Sequence, residues 1–276
     1  MRTVYLGTSG FAASVLERLA DTPHRPVLVA TRPDRPAGRG RKLTPPPVAD
    51  LARRLGIDLD QPEDVNGPEA VARIAAADPE VVIVCAFGAL LTEPLLSQFA
   101  LLNVHPSLLP RWRGAAPVER AIMAGDAQTG VSIMRVTAGL DSGPVCLAAP
   151  EPIRPDDTYG TLAPRLEALG AELLVRALDE RPPCAEQDET GVTYAEKISA
   201  ADRTLDPQAP PAEQDRVVRA LHPHIGARLP QPDGTFLGVR HARPSDDGAR
   251  LELLEVQPPG GRPMAYADYV RGHAPR

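Results

Sequence analysis

The chain has 276 residues, of which 43% are apolar and 24% charged, and its net charge at neutral pH is −6. This composition is typical of a folded globular protein and argues against a surface that is basic throughout for binding nucleic acid. No apolar run approaches the roughly 20 residues of a membrane-spanning helix, and the first residues lack the apolar stretch of a signal peptide. We therefore expect a cytoplasmic protein that binds no membrane, with one large domain and one small one.

The first half of the chain alternates between strand and helix periodicities. Apolar runs predict strands over residues 3–8, 25–32, 80–87 and 100–105. Apolar spacing or a proline start predicts helices over residues 11–20, 45–56, 68–78 and 91–99. Ser9 is a candidate N-cap for the first helix. Strands that are apolar on both faces and alternate with helices predict an α/β fold with a mostly parallel sheet.

The later elements extend this pattern. A helix is predicted over 116–126, and two strands around a loop over 130–153 predict a meander at the edge of the sheet. A long helix over 159–180 follows, with Thr158 as its cap. Its leucines form one apolar stripe that predicts core packing: Leu162, Leu166, Leu169, Leu173 and Leu178.

Beyond residue 182 the sequence becomes polar and irregular, which predicts three parts. We expect a first domain over 1–182, a linker over 183–206 and a small domain over 207–276. Within the small domain, a helix is predicted over 212–222 and strands over 235–244 and 249–259, joined by the turn at 245–248.

The chain has three cysteines, which are odd in number and widely spaced. That pattern supports neither a disulfide framework nor a cysteine-rich metal site. We expect Cys85 and Cys146 to be buried on strands as small hydrophobic side chains. No metal is expected.

Polar side chains gather where the strand at 100–105 ends. The two-residue period of a strand places Asn103 and His105 on one side, and open parallel sheets bind ligands at the carboxyl ends of their strands. An amide can stabilise a developing oxyanion, and an imidazole can give or take a proton near neutral pH. Asp141 follows another predicted strand, where its carboxylate could orient His105. Ordinary hydrogen bonding, or a turn role for Asp141, is the alternative that spacing alone leaves open.

A basic loop at residues 32–43 contrasts with the acidic chain. It carries five cations against the single acid Asp34: Arg32, Arg35, Arg39, Arg41 and Lys42. Such a loop suits the phosphates of a structured RNA, and the alternative, which is the commoner case for an arbitrary chain, is a solvated surface loop.

Two segments resemble the signature of folate-dependent formyltransferases: NVHPSLLPRWRGAAPVERAI at 103–122 and GVSIMRVTAGLDSGPV at 130–145. RPDRPAGRGRKLTPPPV at 32–48 and TYAEKIS at 193–199 are similar to the members that formylate initiator methionyl-tRNA. The resemblance covers most of residues 1–206 and returns in LLEVQPPGGRPM. It implies a Rossmann-like formyltransferase domain and a small barrel-like domain, which looks abbreviated here between 222–244 and 249–259.

The resemblance also implies roles for individual residues. The catalytic residues would be Asn103, His105 and Asp141, and the formyl donor would be 10-formyltetrahydrofolate, without a metal or a dinucleotide. The implied folate contacts are Phe87, Leu90, Leu91, Ser107, Leu108, Leu109 and Pro110. The implied tRNA contacts are Arg35, Arg39, Arg41, Lys42, Arg111 and Arg113. The family pattern further predicts a cis peptide bond between Leu109 and Pro110.

The three catalytic residues do not by themselves determine the formyl acceptor. The leading interpretation is the α-amino group of initiator methionyl-tRNA, with the protein acting as a monomer. The alternatives are transfer to another amine, such as an amino sugar nucleotide, and a non-catalytic protein that binds RNA or folate.

Overall fold

The computed structural model describes residues 1–37 and 40–272. Two compact units are present. The first comprises Met1–Ala115, Gly130–Glu151 and Pro164–Tyr194, and the second comprises Ala116–Thr129, Pro152–Ala163 and the chain from Ala195 onward.

Short strands alternate with helices along the chain up to residue 195. The strands are β1 (Thr3–Gly7), β2 (Pro26–Ala30), β3 (Arg35–Ala37), β4 (Lys42–Thr44), β5 (Asp58–Asp60), β6 (Val81–Cys85), β7 (Leu101–His105), β8 (Arg113–Gly114), β9 (Gln128–Arg135), β10 (Val145–Pro152) and β11 (Tyr194–Ala195). The helices are α1 (Gly10–Ala20), α2 (Pro47–Leu55), α3 (Pro68–Ala76), α4 (Leu95–Gln98), α5 (Pro117–Ala124) and α6 (Tyr159–Glu180).

A seven-stranded sheet forms the centre of the first unit, in the order β10-β9-β7-β6-β1-β2-β5. Neighbouring strands in the stretch β7-β6-β1-β2-β5 of this order pair in parallel, whereas β9 pairs antiparallel with β7. Every residue of β1 and β6 is buried, as expected for strands covered on both faces. This sheet confirms the predicted Rossmann-like α/β fold with a two-stranded meander at one edge.

The ends of the predicted helices follow from local chemistry. The Ala12 amide donates to the Ser9 hydroxyl at 3.3 Å, and the Thr161 amide donates to the Thr158 hydroxyl at 3.3 Å, so both predicted caps are confirmed. Most of the leucine stripe of α6 is buried, with Leu169 half-buried.

One expectation about the cysteines is wrong. Cys146 forms a disulfide with Cys184, and Cys85 is the buried free thiol. The partners are 38 residues apart in sequence. Val145 and Ala185 exchange two backbone hydrogen bonds of 2.8 and 2.9 Å, which bring the neighbouring cysteines together. Spacing in the sequence contains no signal for that long-range pairing.

The second unit contains a small antiparallel sheet of β12 (Ala227–Pro230), β13 (Phe236–Pro244), β14 (Leu251–Gln257) and β15 (Met264–Ala265). It also contains α7 (Pro211–Leu221) and α8 (Tyr266–Gly272). Val218 and Leu221 of α7 pack with Val239 of β13 in a common core. The predicted helix and the two longer strands are confirmed, whereas the short strands β12 and β15 carry too few residues to show a period.

Candidate active site

The three residues singled out from the sequence meet at the carboxyl end of β7, with Asn103 and His105 on the strand itself and Asp141 on a separate loop. The Asn103 amide donates to Asp141 Oδ1 at 3.3 Å. His105 Nδ1 lies 3.6 Å from Asp141 Oδ2. That second distance is an ion-pair separation rather than a hydrogen bond, and catalytic contacts are often long before substrate binds. An amide, an imidazole and a carboxylate therefore converge on one point.

The His105 ring is held at both nitrogens. Its side chain is 4% exposed, and Nε2 lies 2.8 Å from the Trp112 carbonyl oxygen. Because a carbonyl only accepts, Nε2 carries the proton, and Nδ1 faces the carboxylate. Both ring nitrogens therefore face hydrogen-bond acceptors.

Asp141 adopts a left-handed backbone conformation, with φ 43°. Few residues other than glycine tolerate this region, and Asp is among those enriched there. Its Oδ2 accepts from the Gly114 amide at 2.9 Å. The carboxylate is thereby held between β8 and the loop that carries it.

Residues 107–110, with the sequence Ser-Leu-Leu-Pro, form a tight turn after β7. The Ser107 hydroxyl donates to the Arg111 carbonyl at 2.6 Å, and the Ser132 hydroxyl donates to the Ser107 carbonyl at 2.8 Å. Ser107 is fully buried, so its hydroxyl stabilises the turn. Leu108, Leu109 and Pro110 are half-buried. The Leu109–Pro110 peptide is cis, which confirms that prediction.

The segment after β6 runs beside this turn. Val84 pairs with Asn103, so residues 86–91 leave the sheet next to the end of β7. Phe87 and Leu91 pack in the core and are 4% and 6% exposed, whereas Leu90 is 69% exposed. Of these three predicted folate contacts, Leu90 is therefore the one presented to solvent.

The basic loop forms a hairpin of β3 and β4. Arg35 pairs with Thr44, and Arg35, Arg41 and Lys42 are exposed. Arg39 lies outside the described residues. The hairpin therefore presents at least three of its predicted tRNA contacts to solvent.

The two arginines near Trp112 differ. Arg111 stacks its guanidinium over the Trp112 ring, 4.3 Å from the centroid. Arg113 is 4% exposed and donates to Gln187 Oε1 and Glu189 Oε1, each at 3.0 Å. Its geometry suits the anchoring of that segment better than contact with an external phosphate.

Sequence reasoning missed the contribution of residues 184–193, which it treated as a linker. The Trp112 amide donates to the Thr193 hydroxyl at 2.9 Å. The Gln187 amide donates to the carbonyls of Asp141 and Gly143, both at 2.8 Å. The TYAEKIS resemblance pointed to Thr193, but nothing in the sequence pointed to Gln187.

Other features lie apart from this site. A cavity of about 390 Å³ opens at the amino ends of β6 and β7, which is the end of these strands opposite the site. Leu101 and Arg135 are among its lining residues. Burial raises the pKa of the Cys85 thiol to about 12, so this cysteine is no nucleophile. Within residues 1–37 and 40–272, no group of His, Cys, Asp and Glu is arranged to hold a metal ion. No helix in that same part of the chain combines the length and apolarity needed to cross a membrane.

The comparisons with known proteins agree on one family. A family model described as "Formyl transferase" matches residues 1–178. A methionyl-tRNA formyltransferase of Dechloromonas aromatica (strain RCB) is 47% identical over 296 residues, covering 99% of this chain and 96% of that protein.

Solved structures share the fold. A methionyl-tRNA formyltransferase from Clostridium thermocellum superposes with a TM-score of 0.67 at 13% identity, covering 96% of this chain and 99% of that one. An N-formyltransferase from Helicobacter canadensis, in complex with folinic acid and dTDP-3-aminofucose, gives a TM-score of 0.65 at 15% identity, covering 89% and 88%.

Proposed function

Because the chain belongs to the formyl transferase family, we propose that it transfers the formyl group of 10-formyltetrahydrofolate to the α-amino group of initiator methionyl-tRNA. The observation that carries the proposal is the convergence of three side chains at the carboxyl end of β7, where Asn103 and His105 lie 3.3 and 3.6 Å from the Asp141 carboxylate. The near-full-length relative that bears this enzyme name supports the choice of acceptor.

The reaction forms a bond between the acceptor nitrogen and the formyl carbon and breaks the bond from that carbon to N10 of the folate. Negative charge builds on the formyl oxygen during attack. Asn103, through the amide hydrogen that Asp141 does not accept, and protonated His105, through Nδ1, donate hydrogen bonds to that oxygen. Losing one such donor typically costs about 10²-fold or more in rate. Asp141 receives the proton that the amine loses, and this proton finally resides on the leaving nitrogen.

The apolar residues beside the end of β7 support the placement of a folate there. Leu90 is exposed, Leu108, Leu109 and Pro110 are half-buried, and Phe87 and Leu91 form the apolar backing. Ser107 keeps the turn in place. We place the formyl donor along this surface, where its carbonyl meets the donors at the end of β7.

The tRNA is assigned to the basic hairpin and its surroundings. Arg35, Arg41 and Lys42 are exposed and suit the acceptor-stem phosphates, and Arg39 and Arg111 complete the proposed contacts. Arg113 supports the site from its buried position. We assign catalysis to residues 1–182, with support from residues 184–193 at the start of the connecting segment 183–206, and an auxiliary role to residues 207–276. We propose a monomer that works in the cytoplasm.

A direct assay tests the proposal. The protein is incubated with 10-formyltetrahydrofolate and charged initiator tRNA, the methionine is then released, and its formylated fraction is measured by mass spectrometry. We expect formylmethionine in amounts that match the tetrahydrofolate produced. Formylation of an amino sugar nucleotide without formylation of the tRNA would overturn the choice of acceptor, and turnover of neither substrate would overturn the enzyme.

A further inference from the structure

Gln187 connects the loop that carries Asp141 to β8. Its Nε2 donates to the carbonyls of Asp141 and Gly143, each at 2.8 Å, and its Oε1 accepts from Arg113 Nε at 3.0 Å. We infer that Gln187 is a positioning residue for Asp141. This inference rests on the proposed function, because it assigns Gln187 a role through the Asp141 carboxylate.

The Asp141 loop depends on outside contacts for its shape. Asp141 has a left-handed backbone, with φ 43°, and the surrounding structure must hold such a conformation in place. The Gln187 amide holds two carbonyls of this loop, and Gly114 holds the carboxylate from the other side at 2.9 Å. The distances from Asp141 to Asn103 and His105 therefore depend on the backbone that Gln187 fixes.

Gln187 is itself anchored. The disulfide between Cys146 and Cys184 ties the chain to β10 three residues earlier, and the hydrogen bonds between Val145 and Ala185 continue that attachment. Arg113 extends the anchoring to Glu189, with a 3.0 Å ion pair from its buried guanidinium. The amide thus acts from a segment fixed at both ends.

The chemistry of the position calls for an amide. Two carbonyls require two donors, and the Arg113 guanidinium requires an acceptor. Glutamine supplies both. A glutamate would place an acceptor oxygen against the two carbonyl oxygens. A methionine would fill the space but could neither donate to the carbonyls nor accept from Arg113.

The experiment compares Gln187→Met with the matched control Gln98→Met, whose glutamine is exposed at the end of α4. A small displacement of a catalytic group lowers turnover by about 10- to 100-fold. We expect kcat of Gln187→Met to fall in that range, with the KM values for folate and tRNA within about 2-fold of the starting protein. The control should retain kcat. If Gln187→Met does not fold, the near-isosteric Gln187→Glu takes its place with the same expected loss.

The double variant Gln187→Met/Asp141→Asn separates positioning from other roles. If Gln187 acts through Asp141, the double variant is no slower than Asp141→Asn alone. The inference would be overturned if the losses of the two single variants multiply in the double variant. It would also be overturned if Gln187→Met raises KM and leaves kcat unchanged. If Gln187→Met keeps the kcat of the starting protein while Asp141→Asn is slow, only the positioning role is overturned. An unimpaired Asp141→Asn overturns the assigned catalytic residues and the inference with them, while inactivity of the starting protein overturns the proposed function.

Discussion

Replacing Asp141 by asparagine removes a negative charge from the candidate site while keeping the size of the side chain. The asparagine carbonyl can still accept from the Gly114 amide, which now lies 2.9 Å from the carboxylate. Its NH2 group would replace the oxygen that accepts from the Asn103 amide at 3.3 Å. The change therefore tests charge, proton acceptance and the Asn103 contact, while the Gly114 contact is kept.

The expected magnitude follows from the distance. At 3.6 Å and an effective dielectric constant of about 20, a carboxylate and an imidazolium attract each other by about 5 kcal/mol. The Asp141 side chain is 18% exposed, so solvent screens part of this attraction. Loss of about half of it in the transition state lowers turnover by about 100-fold. That figure lies within the range of about 10²–10⁴-fold for general acid–base catalysis.

The assay measures formylmethionyl-tRNA formation under saturating substrates, with circular dichroism to establish that the variant is folded. Asp21→Asn is the control, because this aspartate is exposed at the end of α1. A folded Asp141→Asn variant with kcat within about twofold of the starting protein would refute the electrostatic argument, since the charge would then contribute nothing to the rate.

Three further predictions concern the hairpin, the cysteines and an ion pair in the second unit. Arg41→Ala/Lys42→Ala should raise KM for tRNA and flatten its salt dependence, and an unchanged KM would remove the hairpin from the tRNA site. Alkylation of the unfolded, unreduced protein should label Cys85 alone, and three labelled cysteines would contradict the disulfide. The Arg120 guanidinium, 2.7 Å away, lowers the pKa of the Asp202 carboxyl below 3.8. Asp202→Asn should therefore lower the urea midpoint at pH 7, by a difference that shrinks as the pH falls below about 3.8, whereas a difference that stays constant down to acidic pH would contradict the linkage.

The sign of that last prediction follows from linkage. A carboxyl whose pKa is lowered in the folded state binds fewer protons there than in the unfolded chain, so its stabilisation is fully present at neutral pH. The stabilisation is lost as the pH falls through the lowered value. Both side chains are partly exposed, which keeps the contribution of the pair modest.

Periodicity was enough to predict the sheet and one side of the site. Asn103 and His105 share a face because they are two residues apart on a strand, and this holds for any strand in any fold. The mostly parallel order followed from runs such as β1 and β6, which are apolar on both faces.

Contacts between distant loops were beyond such reasoning. Asp141 approaches His105 through a left-handed turn that no local pattern specifies. Its place after a predicted strand left a turn role open, and the family resemblance implied the catalytic role. Gln187 and Cys184 lie in a polar stretch that reads as a linker, because their partners at residues 141 and 146 are far away in sequence. The burial of Arg113 was not predicted for the same reason, since its partner Gln187 is 74 residues away in sequence.

The most direct measurement of the central claim is the fate of the formyl group when charged initiator tRNA is the only amine offered in quantity. With isotopically labelled formyl on the folate, we predict that the label appears on the methionine of the tRNA and that Asn103→Ala or His105→Ala slows its appearance by about 100-fold or more. Label that remains on the folate, or transfer that proceeds equally fast in both folded variants, would contradict the account.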